Sequence, residues 1–430
     1  MRALQKPRTI RQLQDTCGED AVRRLTALAR LYVLAGPRSD ARLALHVERM
    51  PTPPSPDLLW PQGRQPPQHG CVGTGTCCSA SFLGPVYDAD AQRVNALGFG
   101  RTRRFAPGSA PFESVAFRGQ AVRGMARDLS GRCVAQADDG LCEIHAAHGL
   151  QAKPVTCRQF PLRFHRSPEG VHVSLLLACD GYDRARPAAS PWLQREAEVR
   201  QLLTEGAAAV PVHLPVTLSA GLPIAWSDWQ ALRAQFFAAE PDVPDPRVWL
   251  DRVVALADAA VAQRQAVLAE GSEIVWTTDL QWLRQGLQVP ADLWPEPTLS
   301  RALAELRAVA QGITDPQRVR DRARLHLLAD GLAALGTELP LTPDARQHLN
   351  DIVANDLPVH VVLGELDAGL ANLTRRLLLA QGVATALALL AGEAQIAARH
   401  TTQALHVVYR SEPELTWLGQ LQVAHAPLVP

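Results

Sequence analysis

The segment Cys71-Val-Gly-Thr-Gly-Thr-Cys77-Cys78 places three cysteines within eight residues, and the interpretation of the chain starts from it. The remaining cysteines of the same region are Cys133, Cys142, Cys157 and Cys179. Cys17 stands alone near the start, and no cysteine follows Cys179. Clustered thiols in a reducing compartment are most often metal ligands or catalytic groups, whereas disulfides are disfavoured there. The sequence therefore predicts a metal-binding segment.

Composition describes a globular protein and excludes some partners. The chain has 430 residues, 47% of them apolar, and its 43 basic and 43 acidic residues give no net charge. This argues against a strongly basic nucleic-acid binder and against an electrostatic membrane anchor. Residues 1–30 lack the apolar core of a signal peptide, and Leu377–Ala391 is interrupted by Gln381 and shorter than a membrane span requires. We expect a cytoplasmic protein with no nucleic-acid or membrane partner.

The predicted fold class is α+β, mainly α. We expect a helical arm over 1–50, a proline-rich linker over 51–68, a small cysteine-rich, metal-organised unit with short hairpins over 69–185, and an all-helical C-terminal domain over 190–430. Helix starts in the last part are marked by Ser or Asp before the first turn, or by a cap followed by proline. These signals are Ser227–Asp228, Asp245–Pro246, Asp315–Pro316 and Thr342–Pro343.

Short strands and turns are predicted within the cysteine segment. Glu113–Phe117 has a strand-like pattern, and Arg132–Ile144 is typical of a hairpin that turns at Asp138-Asp-Gly140. Two further strands, Arg158–Phe164 and Val171–Leu177, are joined by Ser-Pro-Glu-Gly at 167–170. The second hairpin, if centred on residue 168, brings Cys157 opposite Cys179, with Cβ atoms about 4.5–5.5 Å apart. By the same reasoning Cys133 and Cys142 lie near each other at the base of the first hairpin.

Seven cysteines provide enough ligands for more than one arrangement. Adjacent side chains in an extended chain point to opposite faces, so Cys77 and Cys78 either lie in a sharp turn or serve different centres. A division of four plus three leaves one centre with an open coordination position. No C-x2-C pair is present, which disfavours zinc ribbons and thioredoxin-type sites. The nearby candidate nitrogen ligands are His69, His145, His148 and His165.

The cysteine motifs resemble those of the CxxCxxCC (YkgJ-type) family of zinc- or iron-chelating proteins. That signature reads C-x2-C-G-x-C-C, followed by Asp-x-x-Arg, two middle cysteines and C-R-x-F-P. Here Asp90-Ala-Gln-Arg93 is similar to the second element, Leu141-Cys142-Glu-Ile to a middle cysteine, and Cys157-Arg-Gln-Phe-Pro161 matches the last. Thr74 replaces the second signature cysteine, so one ligand position is missing, moved, or given to solvent, substrate or a cofactor.

Length and the helical tail narrow the resemblance to the flagellin lysine-N-methylases of this family. Val173-Ser-Leu-Leu-Leu-Ala-Cys179 is similar to a late strand of those proteins. The resemblance implies a [4Fe–4S] cluster, S-adenosylmethionine as methyl donor and a flagellin-like protein lysine as substrate. No nucleotide-fold glycine motif stands out, so the cofactor is expected at the open position of the metal centre. Arg158, with Arg101, Arg103 and Arg104, is either a counter-charge for a thiolate-ligated cluster or a solvated surface.

Three functions remain open at the level of sequence. The first is an iron–sulfur protein-lysine methylase that uses Cys71, Cys77, Cys78, Cys133, Cys142, Cys157 and Cys179 as ligands, with Thr74 and Arg158 toward the cofactor. The second is a non-catalytic zinc- or iron-binding interaction module. The third is an iron–sulfur redox protein. All three predict cysteine-bound metal, and none is excluded by composition.

Overall fold

The architecture is taken from a computed structural model of the chain. It describes residues 57–59, 75, 78, 85–97, 111–117, 120–128, 132–177, 179, 196–207, 209–219, 222–240, 245–269, 280–289, 293–294, 296–314, 319–358, 362, 364–409 and 411. These residues belong to one compact unit that spans Ser55–Pro430. The helical arm predicted over 1–50 lies outside the described residues, as does the boundary predicted between 185 and 190.

The elements alternate between short strands and helices in the first half, and helices dominate the second half. The strands are β1 (Leu58–Leu59), β2 (Phe112–Phe117), β3 (Gln120–Met125), β4 (Leu162–Ser167), β5 (Gly170–Leu175), β6 (Ala209–Pro211), β7 (Val216–Thr217) and β8 (Pro223–Ile224). The helices are α1 (Asp88–Ala96), α2 (Glu143–His148), α3 (Val155–Gln159), α4 (Glu196–Thr204), α5 (Trp226–Ala238), α6 (Pro246–Ala269), α7 (Gln281–Gln288), α8 (Glu296–Gly312), α9 (Val319–Ala333), α10 (Pro343–Asp356), α11 (Leu366–Leu390) and α12 (Ala398–Tyr409). The prediction of an α+β fold, mainly α, is confirmed.

A four-stranded sheet with the order β1-β5-β4-β6 forms the β part of the main core. The β4–β5 hairpin pairs Leu162 with Leu175 at one end and Ser167 with Gly170 at the other. Leu58–Leu59 pairs in parallel with β5 at the edge of the sheet. This part of the proline-rich stretch is therefore an edge strand rather than a linker, a place where neighbouring prolines are tolerated.

The helical part is not all-helical, which corrects the prediction for 190–430. Strands β6, β7 and β8 lie within it, and β6 pairs in parallel with β4 of the cysteine segment. The physical reason is the spacing of Pro211, Pro215 and Pro223, because proline lacks the N–H that a helix interior requires. The β strands of the cysteine segment and the helices consequently share one apolar core.

The long helix α11 is the central core helix. Among the described residues it is the one helix long and apolar enough to cross a membrane, because a stretch of it has a mean hydropathy of 1.3. However, 72% of that stretch is buried inside the protein. It starts eleven residues earlier than the segment 377–391 considered from sequence. Gly382 of α11 lies against the backbone carbonyl of Gly331 in α9, where a Cβ atom would overlap it. Glycine therefore permits the close approach of the two helices.

A buried polar network joins the hairpin to the helices. The side-chain amide of Asn355 bonds to the N–H and C=O of Leu175, both at 2.8 Å. The carboxylate of Asp356, 1% exposed, accepts from Arg163 at 2.8 Å and from Arg376 at 2.9 Å. Burial acts to raise the pKa of Asp356, but the two guanidinium groups outweigh it and the net pKa is lowered. The carboxylate is therefore charged at neutral pH.

Candidate metal centre

A second, smaller apolar core lies within the cysteine segment. Its buried members are Val86, Ala91, Val94, Met125, Cys133, Val134, Ala135, Ile144 and Ala152. Cys78, Cys142 and Cys157 are partly buried and pack against this cluster. None of the five described cysteines forms a disulfide bond. Thiol side chains from three separate segments of the chain thus border one small core.

The segment that contains Gly75 and the helical residue Cys78 is held against the hairpin by hydrogen bonds. Cys133 donates its N–H to the carbonyl of Cys78 at 2.8 Å, and Cys78 donates to the carbonyl of Gly75 at 3.0 Å. The amide of Gln136 donates to the carbonyls of Gly75 and Gly140, at 3.0 and 3.1 Å. Gly75 has a φ of +63°, a region that favours glycine. These contacts place the end of the cysteine-rich loop directly against the hairpin turn.

The predicted turn at Asp138-Asp-Gly140 is confirmed. Gly140 donates to the carbonyl of Ala137 at 3.1 Å, and Gln136 pairs with Cys142 in an antiparallel bridge. The bridge is centred on residue 139, so Cys142 faces Gln136, and Cys133 instead bridges to Arg127. The predicted pairing of Cys133 with Cys142 at the base of one hairpin is therefore wrong. Both residues nevertheless belong to or pack against the same small core.

Cys133 is the most deeply placed of the described thiols. Burial raises its pKa to about 12, the neighbouring Cys142 thiol acts in the same direction, and a backbone hydrogen bond at Ala135 opposes them. A thiol in this environment is neutral at pH 7. A bound cation reverses the preference, because a coordinated thiol is deprotonated. As a ligand, Cys133 would release its proton when metal binds.

Cys157 lies on helix α3, which extends to Gln159 and so replaces the start of the strand predicted over 158–164. The strand β4 begins only at Leu162. It pairs there with Leu175 of β5, which is one residue away from the register expected for a hairpin centred on residue 168. Cys179 lies beyond the end of β5 and donates its N–H to the carbonyl of Leu176 at 3.3 Å. The cross-strand pairing of Cys157 with Cys179 is therefore wrong. The convergence of their thiols on a common metal stays a prediction.

Arg158 is engaged by protein groups. Its side chain is 3% exposed and forms an ion pair with Glu205. Nη1 donates to Gln151 at 2.6 Å and Nε donates to the carbonyl of Lys153 at 3.2 Å. The guanidinium therefore joins α3 to the end of α4. Arg158 is therefore not a solvated surface residue, which was one of its two predicted roles. Its contact with a cofactor stays a prediction.

Asp90 and Arg93 form contacts that the spacing of the cysteines does not predict. Asp90 is buried, pairs with Arg93 and accepts the N–H of Val155, the first residue of α3, at 3.0 Å. Arg93 also donates to the carbonyl of Lys153 at 3.3 Å. The only signal in the sequence was the Asp-x-x-Arg element of the resemblance. The structure shows that this element contacts the helix of the C-R-x-F-P motif.

The ligand set is incomplete within the part of the chain that the structure describes. There, no three Cys, His, Asp or Glu side chains are close enough together to hold a metal ion. Several predicted participants lie outside the described residues: Cys71, Thr74, Cys77, His69, Arg101, Arg103 and Arg104. His145 and His148 are exposed on α2, whereas His165 is buried in β4 opposite His172. Cysteine thiolates, where they act as donors, suit a thiolate-preferring metal.

A second cluster of reactive groups lies at the β4–β5 turn. Nε2 of His172 lies 3.1 Å from Oγ of Ser167 and 3.0 Å from Oε1 of Glu169. Arg233 and Gln230 also bond to Glu169, at 2.5 and 2.6 Å. In a catalytic triad the serine and the acid contact different ring nitrogens of the histidine. Because both use Nε2 here, the cluster stabilises the turn and does not form a hydrolytic triad.

Comparison with known proteins identifies no match, so a function has to be inferred from the cysteine-rich segment itself. No protein-family model, no curated protein and no solved structure matches this chain. The resemblance to the cysteine-cluster family consequently rests on the motifs themselves. The contacts of Asp90, Cys133, Cys142 and Cys157 are the structural observations that bear on the same region.

Proposed function

We propose that the chain is a cysteine-ligated metalloprotein that binds a [4Fe–4S] cluster or zinc within residues 69–185. The observation that carries the proposal is that Cys78, Cys133, Cys142 and Cys157 border one small core. They come from three segments of the chain, around residues 78, 133–142 and 157, that are separated in sequence. Cys71, Cys77 and Cys179 are the further ligands that we propose, with Thr74 at the position of the second signature cysteine.

The size of the small core supports a stabilising role for the metal. Its apolar members are mostly alanine and valine with one isoleucine and one methionine, so it excludes little apolar surface from water. Small units of this kind are commonly stabilised by bound metal, and metal binding is then coupled to folding. Soft thiolates select zinc or iron–sulfur clusters over hard cations such as magnesium. A reducing, cytoplasmic location is part of the proposal, because it keeps the thiols available.

Methyl transfer is the activity that we propose to test on this metalloprotein. The support is the motif resemblance to flagellin lysine-N-methylases, which implies S-adenosylmethionine and a protein lysine as substrates. An iron–sulfur cluster with an open coordination position would supply a binding point for the methyl donor. The chain must also desolvate the acceptor lysine, whose ordinary pKa is about 10.4, so that its amine is uncharged. The non-catalytic module and the redox protein are the alternatives that the experiment separates.

The test is anaerobic purification followed by iron, zinc and acid-labile sulfide determination. Iron and sulfide in equal amounts support the cluster, and zinc without sulfide supports the non-catalytic module. Addition of S-adenosylmethionine that changes the cluster spectrum supports methyl transfer over simple electron transfer. The matched variants are Cys133→Ser, which should lose metal, and Cys17→Ser, which should keep it. Absence of any stoichiometric metal in the wild type would overturn the proposal.

A further inference from the structure

Helix α3, which carries Cys157, begins without a cap of its own. Its N-cap residue is Pro154, and no side chain at that position accepts a hydrogen bond from the first turn. A helix N-terminus has unsatisfied N–H groups, and a side-chain acceptor ordinarily satisfies one of them from the N-cap position. Here the acceptor is Asp90, which comes from α1 and lies 65 residues earlier in the chain. Its Oδ2 accepts the N–H of Val155 at 3.0 Å.

Both carboxylate oxygens of Asp90 are engaged, and the residue is only 2% exposed. Oδ1 pairs with Arg93 one turn later on the same helix. The neighbouring bonds act on the same short segment, since Arg93 donates to the carbonyl of Lys153 and Thr156 donates to the carbonyl of Pro85 at 2.6 Å. Contacts on both sides of the first turn of α3 therefore fix it against α1. Each oxygen of Asp90 therefore has a protein group as its partner.

The position of Cys157 follows from this docking. Cys157 is the third residue of α3 and packs against the small core, to which α1 contributes Ala91 and Val94. The hairpin that carries Cys133 and Cys142 packs on the same core. The hydrogen bond to Asp90 thus holds the first turn of the helix that carries Cys157 against α1.

We infer that Asp90 is a positioning residue for the Cys157 ligand of the metal centre. The inference rests on the proposed function, and it extends it by assigning a role to a residue that touches no metal. Groups that orient metal ligands from outside the coordination sphere ordinarily contribute about 10- to 100-fold to metal affinity. We expect Asp90→Ala to weaken metal binding by about that factor. Asp90→Asn keeps an acceptor for the N–H of Val155 and should stay within about threefold of the wild type.

The matched control is Val94→Ala, which lies on the same helix and is fully buried in the same core. This substitution should lower stability while the hydrogen bond between Val155 and Asp90 stays in place. The first measurement is cobalt(II) titration of each anaerobic apoprotein, read by the thiolate-to-cobalt charge-transfer absorbance. The second is the rate at which iodoacetamide alkylates Cys157 in the apoprotein, determined by peptide mass spectrometry. This second rate reports the placement of α3 whether or not metal binds.

The two measurements separate failure of the inference from failure of the proposed function. Support requires that Asp90→Ala weakens cobalt binding and speeds Cys157 alkylation at least fivefold more than Val94→Ala does. Equal effects in the two variants would overturn the inference, because they would show a general loss of stability. If Asp90→Asn weakened cobalt binding as much as Asp90→Ala, the inference would also be overturned, since the hydrogen bond that residue 90 accepts from Val155 would then not matter. A wild type that binds no cobalt through thiolates would reject the proposed function itself.

Discussion

The side-chain amide of Asn355 pairs with both backbone groups of Leu175, donating to the carbonyl and accepting from the N–H at 2.8 Å each. A helix residue therefore occupies the place that a neighbouring strand would take beside β5. The bonds are buried, since Asn355 is 1% exposed. This pair and the ion network of Asp356 hold the β4–β5 hairpin, and with it this part of the cysteine segment, against the helices.

Replacing Asn355 by alanine should destabilise the protein by about 2–4 kcal/mol, because two buried backbone groups of Leu175 lose their partners. The free energy of unfolding by urea measures the loss. Asn372→Ala is the matched control, since Asn372 lies exposed on α11 and bonds only locally to Arg375. We expect the control to change stability by less than about 0.5 kcal/mol. Equal effects in both variants would contradict the role given to Asn355.

Asp356→Ala should cost about 3–5 kcal/mol, because it leaves the guanidinium groups of Arg163 and Arg376 without their buried counter-charge. The triple variant Asp356→Leu, Arg163→Met, Arg376→Met should recover a large part of that loss, since no buried charge remains. Thermal or urea unfolding of the two variants provides the comparison. A single variant that retains wild-type stability would show that the network contributes little.

The histidine at the β4–β5 turn predicts a loss of stability in mild acid. Burial lowers the pKa of His172 to about 4, with Arg233 acting in the same direction and Glu169 opposing them. In the unfolded chain the imidazole takes up its proton near pH 6.5, so the folded state loses stability as the pH falls from about 6.5 towards 4. Because one pKa unit corresponds to about 1.4 kcal/mol, the loss should be on the order of 2–3 kcal/mol.

Urea unfolding of the wild type and of His172→Gln, at pH 7.5, 5.5 and 4.5, tests this pH dependence. The difference in unfolding free energy between the two proteins should shrink as the pH falls. Glu169 does not produce this effect in the same range: burial acts to raise its pKa, but its bonds to Arg233 and Gln230 lower it overall, so its contribution is lost only in stronger acid. A difference that stays constant with pH would contradict the account of His172.

Gly75→Ala should disrupt the contact between the cysteine loop and the hairpin. A Cβ atom there would overlap the amide of Gln136 and the carbonyl of Gly140, and the φ of +63° is itself unfavourable for alanine. We expect reduced metal content together with lower thermal stability of the apoprotein. Gly206→Ala is the control, because its φ is also positive but its Cβ would meet nothing within 4 Å. If the two variants retained equal metal, the loop contact would be unimportant.

Local signals in the sequence predicted several elements correctly. Asp245 accepts from the N–H groups of Arg247 and Val248 at the start of α6, and Thr342 caps α10, as the cap-plus-proline signals predict. The turn at 167–170 is also confirmed. These features succeed because each is determined by residues next to one another in the chain. The signal at Asp315–Pro316 lies outside the described residues.

The errors concern contacts between distant segments. The segment 158–164 is predicted as one strand, but its first two residues belong to helix α3, whose first N–H bonds to Asp90. Helix propensity is weak enough for such a contact to override it. The hairpin register differed by one residue, which is enough to move side chains to the other face. Neither the cap nor the register is encoded by local spacing.

The central claim is that thiolates of residues 69–185 bind metal, and X-ray absorption spectroscopy of the anaerobically purified protein tests it most directly. The account predicts stoichiometric iron or zinc with a first coordination shell of sulfur at about 2.3 Å. It also predicts that Cys157→Ser lowers the sulfur number or the metal content, whereas Cys17→Ser leaves both unchanged. A first shell of oxygen and nitrogen alone, or a folded protein that contains no metal, would contradict the account.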